Sequence, residues 1–246
     1  MTTSHPLTRV PALAVFDMAG TTVDDRDEVY RVLRESTEQA GAVYSDVEFQ
    51  SWMGTEKHWA IENLLRIGGV DATGETVEKA WAWFRAELAD TYTSRPPVPL
   101  PGVEDALRAL HDRGIRTALT TGFSREITDL ILDALGWADS GLIDATAAGD
   151  EVPAGRPEPH LIRAVMAKAG VTDPAAVVSV GDTASDVRSA QAAGVTSVGV
   201  LTGHLTVADF TAEGADLILD SVADLPGVVS AVPAVPAVPA SPEIRA

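Results

Sequence analysis

Leu13-Ala14-Val15-Phe16-Asp17-Met18-Ala19-Gly20-Thr21-Thr22-Val23-Asp24 is an apolar run that ends on a carboxylate, followed by a glycine turn and two hydroxyls. The apolar residues begin at Val10, and Val10–Phe16 fits a strand buried on both faces of a parallel sheet. A carboxylate at the end of such a strand, beside a turn rich in backbone N–H groups, suits attack on phosphorus with a magnesium ion next to it. Two residues beyond it, where an acid would protonate a departing oxygen, stands the methyl group of Ala19. Either the chemistry needs no acid there, or the site is inactive.

Downstream of this stretch the pattern becomes helical. Val29, Val32, Leu33, Thr37 and Ala40 fall at helical spacing, as do Ala60, Ile61, Leu64, Leu65 and Ile67, and then Val77, Ala80, Trp81, Phe84 and Leu88. The helical block closes at Arg95-Pro96-Pro97-Val98-Pro99-Leu100-Pro101-Gly102, a stiff connector. After it, helices and strands alternate. Val103–Arg113, Ser124–Leu135, Glu158–Ala169 and Ala184–Ala193 read as helices, with Ser124 as an N-cap. Ile115–Thr120, Leu142–Ala147, Ala176–Val180, Ser197–Leu201 and Asp216–Leu219 read as strands. This order predicts an α/β fold: a Rossmann-like, doubly wound parallel sheet with its site at the C-terminal strand ends. Residues 1–24 and 97–229 form the expected core and residues 25–96 an inserted, small α-helical cap. Residues 230–246, with Ala-Val-Pro three times over, form an expected disordered tail.

Composition narrows the function. Of the 246 residues, 46% are apolar and 22% charged, a globular balance. The formal net charge of −18 argues against nucleic acid and anionic membranes as partners. A small anionic substrate remains compatible, because a few local cations and a metal ion can reverse the field inside a cleft. The absence of cysteine removes disulfides and thiolate chemistry. The first apolar run is short, contains Pro11 and ends on Asp17, so it does not read as a signal peptide, and a cytoplasmic location is expected.

Four short motifs follow four of the expected strands. Asp17 with its glycine turn is the first. Leu119-Thr120-Thr121-Gly122-Phe123-Ser124 is the second, where hydroxyl and backbone donors can hold a phosphoryl oxygen. Gly155-Arg156-Pro157-Glu158-Pro159 places a cation before a proline-started helix, and Val180-Gly181-Asp182-Thr183-Ala184-Ser185-Asp186 places two acids at a strand end and helix start. A carboxylate nucleophile cannot approach an anionic phosphoryl group unless its charge is neutralised, which Mg²⁺ and Arg156 together would do.

In this order the motifs resemble those of the haloacid dehalogenase superfamily over about Leu13 to Leu225. The resemblance implies an aspartyl-phosphate intermediate on Asp17, with Asp17, Asp182, Asp186 and the backbone carbonyl of Ala19 holding Mg²⁺. It also implies phosphoryl contact by Thr121, with Thr21 and Gly122 beside it, and Arg156 in the place of the usual lysine. Ala19, Arg156 and the run Thr120-Thr121-Gly122-Phe123-Ser124-Arg125-Glu126 are similar to the phosphonatase-like branch, the phosphonoacetaldehyde hydrolases. Members of that branch cleave a carbon–phosphorus bond and carry a Schiff-base lysine in a Met-Gly-x-x-Lys segment. Met53-Gly54-Thr55-Glu56-Lys57 matches it here. The branch has a histidine three residues after the lysine, where this chain has Ala60 with His58 as its nearest substitute, and Phe123 replaces a tyrosine.

The linked changes have a chemical reason. A carbon leaving group is too basic to depart unaided, whereas an imine with Lys57 lets the departing electrons become an enamine. No alkoxide then needs an acid at position 19. The expected activity is therefore Mg²⁺-dependent hydrolysis of phosphonoacetaldehyde or a related small phosphonate, with Met53 and His58 as further substrate contacts. A phosphomonoesterase acting on a small substrate such as phosphoglycolate is the rival, and a non-catalytic phosphate-binding chain the third reading. The resemblance also implies a homodimer formed through the cap.

Overall fold

The computed structural model describes Leu7 and residues 9–230. The Ala-Val-Pro tract lies outside the described residues. Six strands form one parallel sheet: β1 (Leu13–Phe16), β4 (Arg116–Thr120), β5 (Ala145–Ala147), β6 (Val177–Gly181), β7 (Thr196–Val200) and β8 (Leu217–Leu219). Their order is β5-β4-β1-β6-β7-β8, so the chain winds outward from β1 first to one side and then to the other. This is the doubly wound α/β fold that the alternation predicts, and such sheets leave a crevice at the C-terminal ends beside the reversal.

The strands alternate between two apolar layers. Leu13 and Val15 pack with Leu161, Val165 and Ala190, from helices α7 (His160–Lys168) and α8 (Ala184–Ala193). Ala14 and Phe16 face the opposite layer, with Leu107 and Leu110 of α5 (Val103–His111) and Ile127 and Ile131 of α6 (Arg125–Leu135). A period-two alternation between two covered faces is why every residue of β1 is buried.

Between β1 and α5 the chain passes through a two-residue strand β2 (Val23–Asp24), four helices and a second two-residue strand β3 (Val98–Pro99). The strands pair antiparallel, Val23 with Pro99 and Asp24 with Val98, so entry to and exit from the helical insert are tied together. The helices are α1 (Glu28–Glu38), α2 (Asp46–Gln50), α3 (Lys57–Ile67) and α4 (Gly74–Ser94). Periodicity marks α1, α3 and α4 but not α2, which has only five residues and is held by a Ser45–Glu48 capping box. Helices α9 (Val207–Glu213) and α10 (Leu225–Ser230) are also absent from the periodic pattern. The expected strand at Leu142 begins only at Ala145. The Leu142 carbonyl and the Asp144 carboxylate instead accept from the hydroxyl and N–H of Thr117. Glu158 and Pro159 likewise precede their helix rather than open it.

The apolar contacts of the insert are continuous with those of one sheet face, because Leu64, Phe84 and Leu88 belong to the same buried cluster as Phe16 and Leu107. Leu64→Ala is therefore expected to lose about 2–5 kcal/mol of stability. The insert and sheet should still melt together. Trp137 of the sheet layer and the insert tryptophans should report the same urea midpoint as far-UV circular dichroism; separate midpoints would show two independent units.

Candidate active site

The parallel register brings the four motifs together. Phe16 is level with Leu119 on one side and Val180 on the other, and the Asp17 N–H donates to the Val180 carbonyl at 2.9 Å. Asp17, Thr121 and Asp182 thus emerge from three adjacent strands at one edge. The turn after Asp17 is tight: the N–H groups of Thr21, Thr22 and Val23 converge on the Met18 carbonyl, at 2.8–3.1 Å. Gly20 has φ 83°, and a β-carbon on it would lie 2.5 Å from the Asp182 carboxylate, so this corner admits only glycine.

Arg156 joins the acids. Its guanidinium lies 2.5 Å from an Asp17 carboxylate oxygen and 2.6 Å from one of Asp186, and it also donates to the Thr120 carbonyl at 2.9 Å. The Thr21 hydroxyl donates to Asp182 at 2.7 Å, and the Thr183 hydroxyl and N–H both donate to Asp186. Asp17, Asp182 and Asp186 are buried, with one oxygen of each within 4.8 Å of the others. Burial and the facing Asp17 and Asp186 carboxylates push the Asp182 carboxyl well above its ordinary range. Burial pushes Asp186 up to about 6, against the pull of Arg156. Three crowded carboxylates and one guanidinium leave negative charge uncompensated, and an all-oxygen set is what a hard divalent cation takes. The residues present fit such an ion.

The helical insert closes over this edge. Gly54 has φ 75°, and a β-carbon there would meet the Thr183 hydroxyl at 2.2 Å. The Ser185 hydroxyl donates to the Met53 carbonyl at 3.3 Å, and Arg156 reaches the Gly54 carbonyl at 3.4 Å. Glu56 caps α3 by accepting the N–H groups of His58 and Trp59, which fixes Lys57 at the first helical position. Lys57 is 4% exposed, donates from Nζ to the Thr55 carbonyl at 2.8 Å, and lies 5.9 Å from the ring centroids of both Tyr30 and Phe123. Burial lowers its amine pKa to about 8. Arg156 adds to the lowering, while Asp17, Glu56 and Asp186 oppose it.

The sequence-selected residues therefore divide. Asp17, Ala19, Thr21, Met53, Lys57, Thr121, Gly122, Arg156, Asp182 and Asp186 gather at the strand ends or at the insert surface that meets them. The Thr121 hydroxyl accepts from the Phe123 N–H at 3.1 Å within its own turn. His58 is not brought into this group, because its Nε2 lies 2.9 Å from Glu78 and its ring packs on Trp81, among helices of the insert. Tyr30 does face the cluster, and no motif marked it; a tyrosine at a helix start reads as ordinary packing.

A family model for haloacid dehalogenase-like hydrolases matches residues 11–194. The chain belongs to that family and is a hydrolase. Phosphoglycolate phosphatase of Pseudomonas putida is 30% identical over 223 residues, covering 89% of this chain and 80% of its own length. Phosphonoacetaldehyde hydrolase of Bacillus cereus is 30% identical over 200 residues, covering 77% and 75%. Among solved structures, a phosphonoacetaldehyde hydrolase-like protein from Oleispira antarctica superposes with a TM-score of 0.77 at 21% identity, over 94% of this chain and 95% of that one, a likeness of fold. Among the described residues no helix is long and apolar enough to cross a membrane.

Gly122 is one of the close contacts that set the insert down, and the one beside the Lys57 amine. A β-carbon on it would lie 2.4 Å from the Thr55 backbone oxygen and 3.3 Å from Lys57 Nζ. Gly122→Ala should lift the Thr55–Lys57 segment and return the Lys57 amine toward the ordinary lysine range. The pH dependence of Lys57 acetylation, followed by mass spectrometry, checks this; an unchanged midpoint near 8 would count against it.

Proposed function

We propose that this protein is a magnesium-dependent phosphonatase-like hydrolase that cleaves the carbon–phosphorus bond of phosphonoacetaldehyde or a closely related small phosphonate. The single observation that carries the reading is Lys57: a buried amine with a lowered pKa, held over the carboxylate nucleophile by a helical cap. A lysine with no part in chemistry would be expected to keep its charge in water.

The division of labour follows from the geometry. Mg²⁺ held by Asp17, Asp182, Asp186 and the Ala19 carbonyl would neutralise charge between nucleophile and phosphoryl oxygens. Arg156 orients the Asp17 carboxylate and presents a fixed guanidinium to the phosphoryl group. Burial lowers the Arg156 pKa and Asp17 and Asp186 raise it more, so it stays charged at any working pH. Lys57, as free amine, condenses with the aldehyde. The protonated imine then draws the electrons of the breaking carbon–phosphorus bond as the phosphoryl group passes to Asp17. The closed insert excludes water from an imine that would otherwise hydrolyse early. Ala19 is consistent with this, since no alkoxide is released.

The Pseudomonas putida relative favours a second reading, phosphomonoester hydrolysis of a phosphoglycolate-like substrate. Lys57 separates the two. Borohydride with phosphonoacetaldehyde should leave a reduced adduct on Lys57, and Lys57→Ala should abolish carbon–phosphorus cleavage. Phosphate release from monoesters that survives Lys57→Ala, with no adduct, would establish the rival. Asp17→Asn should abolish turnover under either reading, by at least about 10³-fold.

Since the free amine is the reactive form, kcat/KM for the phosphonate should climb with pH and level off above about 8. A flat profile between pH 6 and 9 would remove Lys57 from the rate law. Chelation of divalent metal by EDTA should stop turnover and Mg²⁺ should restore it.

A further inference from the structure

Tyr30 has no task in the reaction as described, yet it stands in the site. It lies in the first turn of α1, its ring centroid 5.9 Å from Lys57 Nζ, with the Phe49 and His204 rings set at steep angles against it. Of the cavities it walls, two, of about 340 and 240 Å³, reach Asp182. Its hydroxyl has no hydrogen-bond partner among the described residues. Burial, followed by the charges of Asp182, Asp17, Asp25 and Asp186, drives the phenol pKa well above its ordinary value, so the group stays protonated. A neutral donor beside the acidic cluster and the Lys57 amine, satisfied by nothing among the described residues, is provided for something that enters.

The reaction creates one such need. When carbon leaves phosphorus, its electron pair becomes an enamine double bond, and that carbon must take a proton before the aldehyde can be released. Of the other strand-end groups, the Thr121 hydroxyl accepts from the Phe123 N–H and keeps its proton for the phosphoryl oxygen, while the hydroxyls and cations beside the acids are committed. Thr21 donates to Asp182, Thr22 to the Asp17 carbonyl, and Arg156 to Asp17 and Asp186. Lys57 is consumed in the imine, Ala19 carries no proton, and His58 is turned to Glu78.

We propose that Tyr30 is a catalytic residue of this site, whose hydroxyl contacts the carbon released from phosphorus and gives it a proton. The proposal rests on the phosphonatase reading. The step balances within the site: the phosphoryl group passes to Asp17 and the bonding pair becomes the enamine. The enamine carbon takes the Tyr30 proton as the nitrogen lone pair re-forms the iminium. The phenolate recovers a proton from water, and water hydrolyses the iminium to free Lys57 and the aldehyde. The acid missing at position 19 is thus supplied by the insert, and to carbon instead of oxygen.

Tyr30→Phe keeps the ring and removes the proton. In single-turnover rapid quench with phosphonoacetaldehyde, phosphorus should be cleaved by this variant near the wild-type rate. Acetaldehyde should appear about 100-fold more slowly, on the scale of a lost general acid. Borohydride should still trap the imine on Lys57. Aldehyde release at the wild-type rate would overturn the proposal, and so would equal slowing of both products, since that is the mark of a ring that only shapes the pocket. If wild-type Lys57 forms no adduct, the imine reading falls, and this proposal falls with it.

Discussion

Arg156 bridges two buried carboxylates, and the rest of the site depends on that bridge. Asp17 follows the end of β1 and Asp186 stands in the first turn of α8, and without a cation between them the fold would hold two like charges in contact. A buried charge that loses its partner costs about 3–5 kcal/mol, so the loop from Gly155 to Pro159 is fastened to the sheet by the chemistry it serves. Lysine would offer a single point charge. The planar fork reaches both acids, the Thr120 carbonyl and the Gly54 carbonyl of the insert at once. One side chain therefore ties nucleophile, helix α8 and cap segment into a single geometry.

The second constraint is closeness. Gly54 against Thr183, Gly122 against Thr55 and Gly155 against Glu56 are all places where a single added carbon would hold the insert off the sheet. Their contacts are mostly backbone or short side chains, which cannot swing aside. The low amine pKa of Lys57 follows from this closeness, because it is the seated insert that strips water from the ammonium group. Packing and reactivity are here one property.

Much of this was legible in the chain. Asp17, Thr121, Arg156 and Asp182 each follow a strand, and strand ends in a parallel sheet converge, so local patterns sufficed to place distant residues together. Lys57 was legible through its neighbours Met53 and Gly54. His58 shows the limit: adjacent helical residues point about 100° apart, so the residue beside Lys57 faces Glu78 while Lys57 faces the sheet. Tyr30 was hidden for a related reason, since its distinction lies in an unsatisfied hydroxyl and not in its spacing. Strands β2 and β3 and helix α2 escaped because two or five residues carry no period.

The short β2–β3 ribbon has a consequence for timing. Two linkers paired side by side resist twisting and shear, so any movement of the insert they carry would be held close to one axis. Lys57 and Tyr30 ride on that same body, on α3 and α1. On the proposed reading, the amine that would capture the aldehyde and the phenol that would protonate its carbon are carried by one body, so they would approach the site together. Loose linkers would let the whole insert tilt as it approached, bringing one group closer to the site than the other. A ladder of two residue pairs would, on the proposed reading, make engagement of the two groups a single event.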